Sequence, residues 1–226
     1  MLHPKVANVF DRLCQIEALK PLRATLIGGT ALSYHFGHRV SYDLDICFPY
    51  HDKLPDLGFL SQLGDIEPLP FNQAVIDHAI NDGADIYDYI QRFKIDGIKI
   101  DIVAGCGSNI LERRIYQTDD VAMHGSLRIA SPRSIFETKS LLLIDRNTTR
   151  DMYDLLYMIT HQGFKASNII ETIMRYRITY RPKDIIAWIE AKRPDPARDE
   201  TIHHPIMQPT TFNSLKSRLL RLLKDQ

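Results

Sequence analysis

Leu26-Ile-Gly28-Gly29-Thr30-Ala-Leu-Ser-Tyr-His-Phe-Gly37-His38-Arg39-Val-Ser41-Tyr-Asp43-Leu-Asp45-Ile46, near the start of a 226-residue chain, sets two strands around a short helix and places two aspartates on the second strand. The apolar run Ala24–Ile27 reads as a short strand that ends at a diglycine. Thr30–Phe36 reads as a short helix stopped by Gly37, because glycine accepts the left-handed conformation that closes a helix. Asp43–Phe48 alternates as a second strand, closed by Pro49. Successive strand side chains face opposite ways, so Asp43 and Asp45 share one face while Leu44 and Ile46 share the other. Two steps of strand rise put the aspartate Cα atoms roughly 6–7 Å apart.

Two carboxylates that close oppose each other's ionisation unless a cation sits between them. Magnesium suits the position, since it prefers oxygen ligands and completes its shell with water and phosphate oxygens. Gly28-Gly29 at a strand-to-helix junction lets backbone N–H groups approach a phosphate, and the positive end of the helix starting at Thr30 points to the same place. A solvated strand face explains the aspartate pair equally well, and a diglycine alone is usually a turn. Asp101, in Ile98-Lys99-Ile100-Asp101-Ile102, projects opposite to its isoleucines. If its strand neighbours the Asp43 strand, three carboxylates converge, and two metal ions could align an incoming hydroxyl with an α-phosphate. An exposed alternating position is the alternative for Asp101.

Outward from this stretch, residues 4–19 read as an amphipathic opening helix and Lys53–Leu63 as a polar helix-like segment. The segment Arg92–Val103 reads as a hairpin, because Asp96-Gly97 favours a type I′ turn between alternating strands. Leu127–Ala130 suits a last strand. Helices are expected over Ser131–Ile144, Thr148–His161, Ala166–Tyr176 and Pro182–Ala191, then a turn-rich linker over Arg193–Pro209 and a basic helix over Thr211–Lys224. The order of elements gives an α/β (α+β) class: a mixed α/β domain over 1–126, with a small mixed sheet flanked by helices, and a helical domain with a basic tail over 127–226.

In the helical half, Ser131 is placed to cap a helix with Pro132 at its first position. Lys139 interrupts the apolar stripe of Ile135, Leu142 and Leu143. A lysine there either snorkels outward or serves something buried, such as a triphosphate. Asp154 lies on the next helix, where an Arg150–Asp154 pair at i,i+4 is the structural alternative. Arg39 and Ser41 are candidate donors to a triphosphate. The cluster Arg175, Arg177, Arg181 and Lys183, with Tyr176 and Tyr180 interleaved, could grip a nucleic acid backbone, although an exposed basic helix face explains it as well.

Composition bounds the rest. The chain is 44% hydrophobic and 25% charged, as in ordinary globular proteins, and its 28 basic and 28 acidic side chains balance. From residue 175 onward there are 11 Lys and Arg against 6 Asp and Glu, leaving 17 against 22 in the remainder. That asymmetry fits an acidic metal-binding front and a polyanionic partner for the tail; uneven solvated charge fits it too. No apolar run approaches the roughly 20 residues that span a bilayer. The N-terminus lacks a signal-peptide pattern, and Cys14, Cys47 and Cys106 are too few and scattered for a disulfide framework, so a cytoplasmic protein is expected. Neither a P-loop nor a dinucleotide-binding Gly-x-Gly-x-x-Gly fingerprint occurs.

The set Gly28-Gly29-Thr30, Gly37-His38-Arg39, Ser41 and Asp43-Leu-Asp45 resembles the signature of the AbiEii-type abortive-infection toxin family, a branch of the polymerase-beta-like nucleotidyltransferase superfamily. The 13 residues from 30 to 42 are slightly long for the superfamily but similar to this branch. The resemblance continues through Lys99-Ile-Asp101-Ile-Val, Pro132 to Lys139 and Arg150-Asp151-Met-Tyr-Asp154-Leu, in patches over residues 24–160, and leaves the basic tail unmatched. It implies a nucleotidyltransferase fold in which Asp43 and Asp45 bind metal, Asp101 is the third carboxylate, and Lys139 and Asp154 match further active-site positions. It also implies that some relatives are toxins that transfer nucleotides to the 3′ end of tRNA.

The expected activity is therefore a magnesium-dependent transfer of a nucleoside monophosphate from a nucleoside triphosphate to an acceptor such as RNA or tRNA. Asp43, Asp45, Asp101, Lys139 and Asp154 would be catalytic, and Gly28, Gly29, Thr30, Arg39, Ser41 and Lys139 would contact the nucleotide. An antitoxin protein is an expected partner. A catalytically silent binding protein of the same fold and a metal-dependent phosphodiesterase or nuclease are the alternatives.

Overall fold

The computed structural model describes residues 2–105, 109–195 and 201–225. These residues form two compact units, one of residues 2–35 and 41–131 and the other of residues 36–40 with the described residues from 132 to 225. The first unit contains a helix α1 (Pro4–Cys14), strand β1 (Thr25–Ile27), helix α2 (Gly28–Phe36, its last residue in the second unit), β2 (Asp43–Phe48), β3 (Ile66–Pro68), α3 (Gln73–Asn81), β4 (Ile90–Ile95), β5 (Ile98–Ala104), α4 (Ile110–Arg113), β6 (Val121–His124) and β7 (Leu127–Ala130). Its sheet runs β3-β4-β5-β2-β1-β7-β6.

Parallel pairing joins β2 to β5 and β1 to β7; the remaining neighbours are antiparallel. The apolar alternation explains why β2 and β5 occupy the middle. Leu44 and Ile46, like Ile98, Ile100 and Ile102, are buried on one face, while Asp43, Asp45 and Asp101 are only half-buried on the other. Val6, Val9, Phe10 and Leu13, one apolar stripe of α1, are buried too.

Two hairpins pin the register by turn chemistry. Ile95 pairs with Ile98 across Asp96 and Gly97, both at positive φ, which is the type I′ pattern expected of Asp-Gly. His124 pairs with Leu127 across Gly125-Ser126, with Gly125 at φ 56°. A Cβ on Gly125 would lie 2.2 Å from the Cys14 carbonyl oxygen, which already accepts a hydrogen bond from Ser126 N.

Sequence reading and structure differ at several elements. The opening helix ends at Cys14, because Ile16 turns extended, and a separate 3₁₀ turn spans Glu17–Leu19. Of the helix-like Lys53–Leu63 segment only a 3₁₀ stretch, Gly58–Leu63, forms; Pro55 and Gly58 oppose an earlier start. α3, α4, β3 and β6 carry no strong periodicity in the sequence. β7 lies beside β1 in the sheet, so the first unit extends through Ser131, beyond the expected boundary at 126.

The second unit is helical: α5 (Pro132–Asp145), α6 (Thr149–His161), α7 (Ser167–Tyr176), α8 (Pro182–Ala191) and α9 (Phe212–Lys224), within a residue or so of expectation. The stretch expected as a linker is partly core. Ile202 and Met207 are buried, Met207 N donates to Tyr153 Oη, and Ile206 N donates to the His38 carbonyl. Among the described residues no helix is long and apolar enough to cross a membrane.

Gly125→Ala is expected to cost about 1–3 kcal/mol for the left-handed backbone, plus the clash with Cys14. Gly97→Ala, with nothing within 4 Å of its added Cβ, should cost the backbone term alone. Urea midpoints check this: equal losses for the two variants would contradict the packing at Gly125.

Candidate active site

The parallel register of β2 and β5 sets Asp45 opposite Asp101 and Asp43 opposite Lys99. Residues paired directly across a sheet project to the same face, so the three aspartates expected from sequence do share one face. Lys99 Nζ donates to Asp101 Oδ2 at 2.7 Å, and Arg92 on β4 brings Nε to 3.9 Å from Asp101 Oδ1. That Oδ1 is buried and has no hydrogen-bond partner. Among the described residues, no three His, Cys, Asp or Glu side chains are gathered as they stand into a metal-binding cluster.

Gly28, at φ 71°, sits where β1 becomes α2, and a Cβ there would lie 2.5 Å from Asp45 Oδ2. Glycine is therefore required twice, by the backbone conformation and by the approach of the carboxylate. Thr30 and Ser41, expected to contact the nucleotide, are buried and bonded inward instead. Their hydroxyls lie 2.6 Å apart, Thr30 also donates to the Asp43 carbonyl, and Ser41 Oγ donates to Asp43 Oδ1 at 3.2 Å. They hold Asp43 in place. Hydroxyls so used are not free to reach a phosphate.

In the helical unit the structure gathers three other expected site residues, Arg39, Lys139 and Asp154, into a buried ion network. Asp154 is 0% exposed and accepts from Arg39 Nε at 2.7 Å and Arg39 Nη2 at 3.0 Å. His38 Nε2 lies 2.7 Å from Asp154 Oδ1, and Lys139 Nζ lies 2.7 Å from Asp154 Oδ2 and 2.8 Å from Asp151 Oδ1. Arg146 and Thr148 complete the shell of Asp151. Buried cations from outside its own helix, Arg39 and Lys139, surround the Asp154 carboxylate.

Arg39 and Lys139, expected at the nucleotide, are held here by partners inside the helical unit. Both are almost fully buried, and their charged groups are engaged by carboxylates within the unit. Burial alone would raise the Asp154 carboxyl, but Arg39, Lys139 and His38 outweigh it and hold the group well below the usual range. Burial likewise opposes the Lys139 ammonium, and Asp151 and Asp154 raise it instead. For His38 burial wins over the attraction of Asp154, and the ring stays neutral. His38 packs against Tyr153 and Tyr157, and its backbone carbonyl accepts from Tyr153 Oη.

Part of the basic cluster near residue 177 is also committed internally. Arg175 and Tyr176 Oη donate to Glu137, and Arg177 forms a bidentate pair with Asp145. Sequence reasoning missed this partnership because Glu137 and Asp145 lie on another helix, more than 30 residues earlier. It also missed Asp151 as the second anion of the network and Arg92 beside Asp101.

Asp154→Asn is expected to cost about 3–5 kcal/mol, since it leaves buried cations uncompensated; an unfolding free energy from denaturant curves within about 1 kcal/mol of wild type would refute the network's role. Acid should weaken the fold in two steps. A group held below its ordinary value stabilises above that value and loses the contribution as pH falls. His38 therefore withdraws stability below its usual 6.5, and Asp154 and Asp151 follow below 3.8. His38→Gln should flatten unfolding free energy between those two values, as read from denaturant curves at several pH values.

Three comparisons place the chain among known proteins. Residues 13–225 match a family model described as the nucleotidyl transferase AbiEii toxin of a type IV toxin–antitoxin system. The fold is similar to that of an H. pylori protein whose crystal structure is assigned to the nucleotidyltransferases, at 16% identity over 99% of this chain and 96% of that one, TM-score 0.51. A CCA-adding enzyme in complex with CTP aligns over 86% of this chain and 54% of that one, at 12% identity and TM-score 0.35, too low to bear on the reading. No curated protein sequence matches.

Proposed function

This chain belongs to the AbiEii nucleotidyltransferase toxin family, and from that premise we propose that it moves a nucleoside monophosphate from a nucleoside triphosphate to the 3′ end of an RNA, tRNA included, with magnesium. The observation that carries the reading is the β2–β5 register, which opposes Asp45 to Asp101 beside Asp43, one step from the Gly28 turn.

The donor set fits a hard divalent cation. All three side chains offer oxygen, and Asp101 Oδ1 is buried with no hydrogen-bond partner. When bound by Asp43, Asp45 and Asp101, such a cation neutralises phosphate charge and polarises the phosphoryl group. The chain's own residues do the positioning. Ser41 and Thr30 fix Asp43; Gly28 admits the Asp45 carboxylate; the N–H groups at Gly28 and Gly29 receive phosphate oxygens at the start of α2. The acceptor hydroxyl oxygen bonds to the α-phosphorus as the bond to pyrophosphate breaks, and the hydroxyl proton passes to Asp101.

Arg39, Lys139 and Asp154 fix α5, α6 and the 36–40 segment against one another within the helical unit. The buried reduced thiols Cys14 and Cys47 suit a cytoplasmic workplace, and the toxin family supplies the reason to expect an antitoxin partner.

The test is incorporation of each labelled nucleoside triphosphate into total RNA with magnesium. Wild type should lengthen RNA, and Asp45→Asn should lose at least a hundredfold in rate, about 2.7 kcal/mol of barrier. RNA shortened rather than lengthened would replace transfer by phosphodiester cleavage. Incorporation that Asp45→Asn leaves intact would remove the site.

A further inference from the structure

The helical unit contains a cavity of about 580 Å³ that the reaction above does not use. It lies between the end of α5 and the end of α8, and its functional lining is Arg146, Asn147, Trp188, Lys192 and Arg193. Trp188 is 52% exposed, far more than an indole needs for packing. Its Nε1 donates to the Ile144 carbonyl at 3.2 Å, which anchors the ring by its edge without using its π-face. Two acidic residues, Asp145 and Asp195, also line the cavity, and Asp145 is already paired bidentately with Arg177.

The cations there are held in place by the end of α8. Arg193 Nη1 donates to the carbonyls of Glu190, Ala191 and Lys192, while Lys192 Nζ donates to Arg146 O and Asn147 Oδ1. Lys216 on α9 donates to the Glu190 and Lys192 carbonyls beside them. Cations at a helix C-terminus are stabilising for the helix, which accounts for their presence. It does not account for a half-exposed indole among them. An anchored aromatic ring flanked by positive side chains is the arrangement that takes an unpaired base by stacking and its phosphates by charge. A cavity of this size accommodates a nucleotide unit.

We infer that this cavity is a binding site for single-stranded RNA, with one base stacked on Trp188 and an adjoining phosphate against Arg193. The inference rests on the reading that the acceptor is RNA and assigns it a contact on the helical unit. A base in duplex RNA is not available to stack, so the site selects loops and 3′ ends. Salt weakens the binding, as displaced counterions require.

Trp188 is the single tryptophan of the chain, so emission excited selectively at tryptophan reports on this site alone. Titration of the full chain with a single-stranded hexaribonucleotide should quench the emission to saturation. A duplex of the same sequence and free AMP or ATP should quench at least tenfold more weakly. With a labelled hexamer followed by anisotropy, Trp188→Ala should raise Kd about tenfold, Trp188→Phe should recover most of that, and Arg193→Ala should raise Kd severalfold. Trp188 is half-exposed and Arg193 exposed, and far-ultraviolet circular dichroism verifies that the variants fold.

Anisotropy showing bound hexamer while tryptophan emission stays constant would overturn the inference, as would equal quenching by ATP or a wild-type Kd for Trp188→Ala. Transfer is read separately on the same hexamer. Transfer without quenching sinks the RNA cavity and leaves the nucleotidyltransfer reading, whereas quenching without transfer to any RNA does the reverse.

Discussion

Parallel pairing of β2 with β5 is the constraint on which the candidate chemistry depends. The pairing runs from Asp43 opposite Lys99 to Phe48 opposite Ala104, and apolar side chains of both strands bury one face. A slip of β2 by one residue would turn Leu44 and Ile46 outward while the isoleucines of β5 stayed on the buried face. Hydrophobic burial thus fixes the register, and the register sets Asp45 against Asp101. The acidic face is carried by the apolar one.

The same division of labour explains how polar side chains are used around Asp43. Thr30 and Ser41 are buried hydroxyls, and each satisfies its hydrogen-bonding capacity on the Asp43 strand. At Gly28 the absence of a side chain matters more than any side chain would, since Asp45 Oδ2 occupies the space. In the helical unit the logic differs. Asp151 and Asp154 are buried charges, tolerable because Arg39, Lys139 and Arg146 surround them with directed hydrogen bonds. Such a network fixes which residues of α5, α6 and the 36–40 segment meet, whatever its net contribution to stability.

Strand and helix periodicity made much of the fold legible. The β2 strand, the Asp96-Gly97 hairpin and all five C-terminal helices follow from apolar spacing, turn residues and proline positions. Elements without those signals were not legible: α3 has no buried residue, and β3 is a three-residue edge strand. That Asp43 and Asp45 share a face, and that Asp101 opposes its isoleucines, was readable because alternation is a local property; that β5 neighbours β2 was not. The fates of Lys139, Asp154 and Arg39 were not, because their partners are more than ten residues away in sequence and a buried salt bridge looks like a catalytic set when only residue types are seen. Trp188 carried no pattern at all; only its exposure beside Arg193 distinguishes it.

On the proposed reading, the β2–β5 register builds a site for a divalent cation from Asp43, Asp45 and Asp101. Titration with Mn²⁺, following the free-ion electron paramagnetic resonance signal in the presence of a nucleoside triphosphate, tests it without requiring an acceptor. Each of Asp43→Asn, Asp45→Asn and Asp101→Asn should weaken protein-dependent Mn²⁺ binding at least tenfold, about 1.4 kcal/mol. Wild-type affinity in all three variants would contradict it.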